Sequence, residues 1–182
     1  VEILAISGSL RRRSTNTELL LAARHLAPPD MKIELYDGLG NLPHFNPDIE
    51  PEESSAVMDL KERLGRAAGL MISTPEYARG VPGSLKNALD WLVSGSEFVD
   101  KPVVLLSAST RSSHAYDALR TTLTTMSGRL IAGASITLPL LGKDYDANAI
   151  VTDAEFARPL RAALVAFRDA IVRRSKETGG DA

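Results

Sequence analysis

Short apolar runs alternate with segments of helical periodicity along almost the whole chain. Strands are predicted over 1–7, 31–36, 69–74, 102–107 and 130–138. The first, third and fourth are continuously apolar, the pattern of parallel strands covered on both faces. Helices are predicted between them. Over 16–27, the stretch from Thr15 to Glu18 matches a capping box and an apolar helical run follows. Over 54–68, Val57, Leu60, Leu64 and Ala67 recur at helical spacing, and over 83–93, Leu85, Ala88, Leu89 and Leu92 form one stripe. A fourth helix is predicted over 114–127. A fifth, over 153–174, follows a second capping box from Thr152 to Glu155, with Pro159 forecasting a kink or a later start. Five βα units in succession imply a doubly wound parallel sheet with right-handed crossovers.

The organisation is that of a single domain over 1–174 with a tail, 175–182, expected to fray. The loop 37–53, "DGLGNLPHFNPDIEPEE", is long and rich in proline, glycine and acids, which marks it as functional or mobile. Trp91 falls about 120° from the centre of its helix stripe at 100° per residue. It is buried by a neighbouring helix or anchors a subunit interface.

Composition narrows the function classes. The chain has 182 residues, of which 44% are hydrophobic and 24% charged, ordinary values for a globular domain that buries one core. A net charge of −2 with interspersed signs argues against a nucleic-acid or membrane surface. No apolar run is long enough for a membrane span, and the first predicted strand begins at Val1, so no secretory leader is expected. The absence of cysteine removes disulfides, thiolate metal sites and cysteine nucleophiles, and fits the cytoplasm. Three histidines without paired spacing make a metal site improbable.

Candidate chemistry collects where predicted strands end. After strand 1 stands "SGSLRRRSTN" (7–16): one glycine, hydroxyl side chains and three arginines just before a helix. Ligands of open α/β sheets bind beyond the strands' carboxyl ends, and a helix N-terminus offers free N–H groups and a positive dipole end. Ser9, Ser14, Thr15 and Asn16 add neutral donors, and Arg11 a charge-assisted fork, so the loop suits a phosphate. The plainer reading is that Ser14–Asn16 cap the helix and the arginines are solvated. A Walker loop would need a second glycine and a lysine, and a dinucleotide fingerprint two more glycines. A phosphatase of this topology would need a cysteine.

Strand 3 leads into "TPEYARGVPGSLKNALDWL" (74–92). Prolines stiffen this connection and Gly80 and Gly83 allow close backbone approach, so it suits a flat heteroaromatic beside Tyr77. A flat redox ring with a phosphate tail across the two loops describes flavin mononucleotide (FMN). The two motifs together resemble those of the NADPH-dependent FMN reductase family, which includes quinone, azo-dye and chromate reductases. The resemblance implies a flavodoxin-like, five-stranded parallel sheet in order 2-1-3-4-5 with helices on both faces. It further implies that Ser9, Arg11, Ser14, Thr15 and Asn16 hold the FMN phosphate, while Pro75, Glu76, Tyr77, Ala78, Arg79 and Gly80 line the ring, mostly through backbone groups. Ser107 and Ser109 would donate to the flavin edge. No protein side chain would carry the chemistry: hydride would pass from NADPH or NADH through bound FMN to a small acceptor. The family's habit of forming homodimers or homotetramers favours the interface role for Trp91. Arg79 is a candidate for the 2′-phosphate of NADPH, and Glu76 for pinning its loop.

Two departures stand out. The family's common asparagine after Glu-Tyr is Ala78, and the turn after strand 4, "SASTRSSHAY" (107–116), lacks the usual glycines. The altered strand 4 loop keeps open a non-catalytic FMN-binding or redox-sensing module. A domain for another phosphorylated ligand is a second alternative, which the absent Walker and dinucleotide fingerprints weigh against.

Overall fold

The apolar runs do pair as parallel strands. In the computed structural model, which describes residues 1–111 and 113–179, β1 (Glu2–Ser7), β2 (Lys32–Leu35), β3 (Gly69–Ser73) and β4 (Pro102–Ser107) form a parallel sheet. Its order is β2-β1-β3-β4-β5, with β5 at Arg129–Leu130. The central strands β1, β3 and β4 are buried on both faces, which is why they are apolar throughout rather than alternating.

Two cores follow from the pleat. Ile3, Ala5, Met71, Val104 and Leu106 face α1 (Thr15–Leu26) and the last helix. Leu4, Ile6, Leu70, Ile72 and Leu105 face α2 (Ser55–Arg66), α3 (Gly83–Leu92) and α4 (Ser113–Thr125). Gly69 matters here, because a Cβ at that position would meet Phe167 at 2.8 Å and Ile171 at 2.9 Å.

The fifth strand differs from its prediction as a single run over 130–138. β5 pairs with the start of β4, a 3₁₀ turn at Ala132–Ala134 interrupts the strand, and β6 (Ile136–Thr137) pairs with the end of β4. Ser135 bridges the gap: its hydroxyl accepts from the Leu105 N–H at 3.1 Å, replacing a ladder bond with a side-chain one.

Helix ends also move. The N-cap of α1 is Ser14, whose side chain accepts from the Thr17 N–H, one residue before the expected cap. Glu18 does not close the expected box. It reaches the start of an unforeseen short helix, α5 (Ala147–Thr152), and accepts from the Ala147 N–H at 2.8 Å. Asp153, not Thr152, then supplies the acceptor for the first turn of α6 (Ala154–Gly179). Pro159 lies within α6, so the later start does not occur. Of the tail expected to fray, 175–179 are helical, and 180–182 lie outside the described residues.

The 37–53 loop is anchored on α3. Asn87 accepts from the Phe45 N–H at 2.7 Å and donates to the Pro43 carbonyl at 2.9 Å. Trp91 is 1% exposed and donates its indole N–H to the same carbonyl at 2.8 Å, with the Phe45 ring edge-on at 5.1 Å. The interface role expected of Trp91 is therefore corrected: its side chain is occupied inside the subunit. Among the described residues no helix is long and apolar enough to cross a membrane.

Candidate functional site

The buried polar residues of the described chain are Ser7, Ser9, Ser14, Asn16, Ser73, Thr74 and Ser107. All lie at the carboxyl ends of β1, β3 and β4 or at the start of α1. A protein interior accepts polar groups where they are paired or have a use. Much of the pairing here is mutual. Ser73 donates to Asn16 Oδ1 at 3.0 Å, and the Ser7 and Thr17 hydroxyls lie 2.8 Å apart.

Above this layer opens a cleft of about 350 Å³, lined by Ser9, Arg11, Ser14, Thr15, Asn16, Pro75, Glu76, Tyr77, Ala108, Ser109, Arg111 and Leu141. One end is the N-terminus of α1. Its Glu18 N–H reaches the Ser14 carbonyl and its Thr17 N–H the Ser14 hydroxyl, which leaves the Thr15 and Asn16 N–H groups without an acceptor among the described residues. Capping and anion binding are therefore compatible. Ser14 uses its oxygen as the cap and keeps a hydroxyl proton, and Asn16 uses Oδ1 on Ser73 and keeps its NH₂ donors. Gly8 allows the close approach beneath, because a Cβ would come within 2.7 Å of Thr74 Cβ and 3.1 Å of Leu85.

The β3 loop forms the second side. Tyr77 and Gly80 exchange backbone bonds, Tyr77 N–H to Gly80 at 3.1 Å and Gly80 N–H to Tyr77 at 2.9 Å. The central residues have φ of 49° at Ala78 and 60° at Arg79. That is the geometry of a type I′ turn, which asparagine and glycine adopt far more readily. Here lies a physical cost of the departure at Ala78. Ala78, Arg79 and Gly80 build the turn but do not line the cleft.

Glu76 crosses to the next element: its carboxylate accepts from the Ala115 N–H in the first turn of α4 at 2.9 Å. Tyr116 adds a second link. Its hydroxyl accepts from the Thr74 N–H at 3.2 Å and donates to the Leu106 carbonyl at 2.6 Å. Burial pushes the Tyr116 phenol up from its ordinary value, so it stays a donor.

The glycine-free β4 loop is ordered by its serines. Ser107 donates to the Ser109 carbonyl at 2.8 Å, the Ser109 N–H returns to Ser107 Oγ at 3.3 Å, and the Arg111 N–H bonds Ser109 Oγ at 3.0 Å. Ser107 does not line the main cleft and lines a neighbouring cavity of about 210 Å³ instead. Ala108, Arg111 and Leu141 line the cleft without having been foreseen. Arg111 had a signal, as a charge in the glycine-free loop after β4. Leu141 had none, since only the broken fifth strand brings it there.

Strand order reverses between β1 and β3, and the cleft sits at that switch point with an anion-suited helix end beside it. These features define a flavodoxin-like domain. Residues 1–139 match the NADPH-dependent FMN reductase family, and the chain belongs to it. It is 42% identical over 91 residues to a 2-hydroxy-1,4-benzoquinone reductase of a Burkholderia species, covering 50% of this chain and 49% of that protein. It is 33% identical over 113 residues to the quinone reductase of Escherichia coli strain K12, covering 60% of each. These matches span about half to three fifths of the curated relatives' length. Among solved structures, FerB of Paracoccus denitrificans, a flavoenzyme NAD(P)H:(acceptor) oxidoreductase, superposes with a TM-score of 0.84 at 27% identity, covering 94% of this chain and 97% of that one.

Proposed function

We propose that the protein is an FMN-dependent NAD(P)H oxidoreductase that reduces a small acceptor such as a quinone, azo compound, free flavin or metal oxyanion. The observation that carries this reading is the cleft itself: polar donors at its α1 end, walls from the β1, β3 and β4 loops, and a buried polar layer beneath. The residues fit the group. Arg11, with the Thr15 and Asn16 N–H groups and the Ser9 and Ser14 hydroxyls, would hold its phosphate. Pro75, Glu76 and Tyr77 would line the ring, with the Ser109 hydroxyl at its edge.

Bound FMN would supply hydride acceptance and donation, which no side chain here can provide. The protein's own contribution is positional. The Glu76 and Tyr116 bonds tie the β3 loop to α4 and β4, so the groups facing the ring are fixed before binding. Assembly as a homodimer or homotetramer belongs to the same reading. It is supported by Leu10, Val93 and Val99, large apolar side chains more than half exposed outside the cleft. The cysteine-free composition supports a cytoplasmic setting.

The test is NADPH oxidation by the FMN-loaded protein with benzoquinone as acceptor. Quinone loss that requires both FMN and NADPH supports the reading. FMN uptake without turnover would mean a flavin-binding or sensing module instead, and no uptake would exclude both.

A further inference from the structure

Among the described residues, Arg11, Arg12, Arg13, Arg79 and Arg111 form no ion pair, although the chain as a whole is slightly acidic. Three separate loops, after β1, β3 and β4, thus each bring at least one uncompensated cation to the same end of the sheet. Only Arg11 and Arg111 line the cleft. Arg11 stands on the α1 side, where a phosphate is accounted for. Arg111 enters from the β4 loop, and its side chain makes no hydrogen bond or ion pair among the described residues. The carboxylate that lines the cleft, Glu76, is already bonded to α4. The Arg111 backbone is held by the Ser107–Ser109–Arg111 chain of hydrogen bonds, so less freedom is lost when its side chain meets an anion.

We propose that Arg111 is a specificity-determining residue that selects, on the open side of the ring site, a co-substrate carrying a second negative charge. This rests on the flavin reading above. Two molecules could bring that charge: an acceptor with a carboxylate beside its quinone, or the dinucleotide through its 2′-phosphate. Both offer the planar or tetrahedral oxyanion that a guanidinium fork recognises. Arg79, at the tip of the type I′ turn, lies outside the cleft lining and is not assigned this role.

Calorimetry on the FMN-loaded protein tests it without turnover, using two pairs of non-reducible probes. Benzoate against benzamide reports an acceptor carboxylate, and 2′,5′-ADP against 5′-AMP reports the 2′-phosphate. At low salt the charged member of at least one pair should bind about fivefold tighter or more, and Arg111→Gln should level that pair. Which pair responds identifies the source of the charge. Equal affinities within both pairs, or a charge preference that survives in Arg111→Gln, would overturn the assignment. Arg111 is exposed, so the variant should fold, and a loss of FMN affinity in it would place Arg111 on the FMN phosphate and overturn the assignment. Failure of the wild-type protein to take up FMN would instead overturn the flavin reading, and this inference with it.

Discussion

The carboxylate of Glu76 accepts a hydrogen bond from the backbone N–H of Ala115 at 2.9 Å, joining the loop after β3 to the first turn of α4. A negative group at a helix N-terminus satisfies an orphan donor and meets the positive dipole end. The bond therefore fixes the position of Pro75–Tyr77 against the β4 loop. Glu76→Ala should weaken FMN binding about tenfold, the scale of one charge-assisted bond near 1.4 kcal/mol. Glu76→Gln keeps an acceptor oxygen and should recover most of it. Flavin fluorescence titration separates these outcomes, and equal losses in both variants would mean the charge, not the bond, is what matters.

Asn87 and Trp91 anchor the 37–53 loop through Pro43 and Phe45. Asn87→Ala removes two bonds and should free the loop while the sheet stays folded. Because Trp91 is the one tryptophan of the chain, its emission reports loop docking directly. The expected change is a red-shifted, more quenchable emission with faster proteolysis inside 37–53.

The strained turn at Ala78 and Arg79 gives a prediction of opposite sign. Each non-glycine residue in the left-handed region costs about 1 kcal/mol. Ala78→Asn combined with Arg79→Gly supplies the favoured type I′ pair and should stabilise the protein by about 1 kcal/mol in urea unfolding. A destabilised double variant would mean that those two side chains make contacts worth more than the relieved strain.

Burial pushes the Tyr36 phenol up to about 12, with Asp59 adding to the rise. Its hydroxyl is buried and has no hydrogen-bond partner among the described residues. An unfolded tyrosine releases its proton near 10.0, so the folded state binds more protons above that pH. Stability from this group is complete below pH 10 and is lost as pH rises through about 12. Tyr36→Phe should be neutral or stabilising by up to about 1 kcal/mol at neutral pH, with a shallower alkaline loss. Tyr116 and Tyr145 are also shifted upward, so the slope should diminish rather than vanish.

What was legible in the sequence followed from strong local signals. Continuous apolar runs marked β1, β3 and β4, and the hydroxyls and arginine after β1 marked the anion-suited end of the cleft. The misses have physical causes. Residues 130–138 look like one strand because apolar composition does not reveal that Ser135 replaces a ladder bond. Glu18 looks like half of a capping box because its true partner, Ala147, is remote in sequence. Trp91 looks like an interface residue until Pro43 is seen to accept its indole N–H. Arg111 and Leu141 enter the cleft through loops whose path depends on tertiary pairing.

The N-terminus of α1, with Arg11, is the proposed cradle for the FMN phosphate. Titrating FMN into the wild-type protein, Arg11→Ala and Arg13→Ala tests it most directly. Arg11 lines the cleft and Arg13 does not. Arg11→Ala should weaken binding about tenfold or more, while Arg13→Ala should change it less than about twofold. Equal effects of the two substitutions, or no loss with Arg11→Ala, would contradict it.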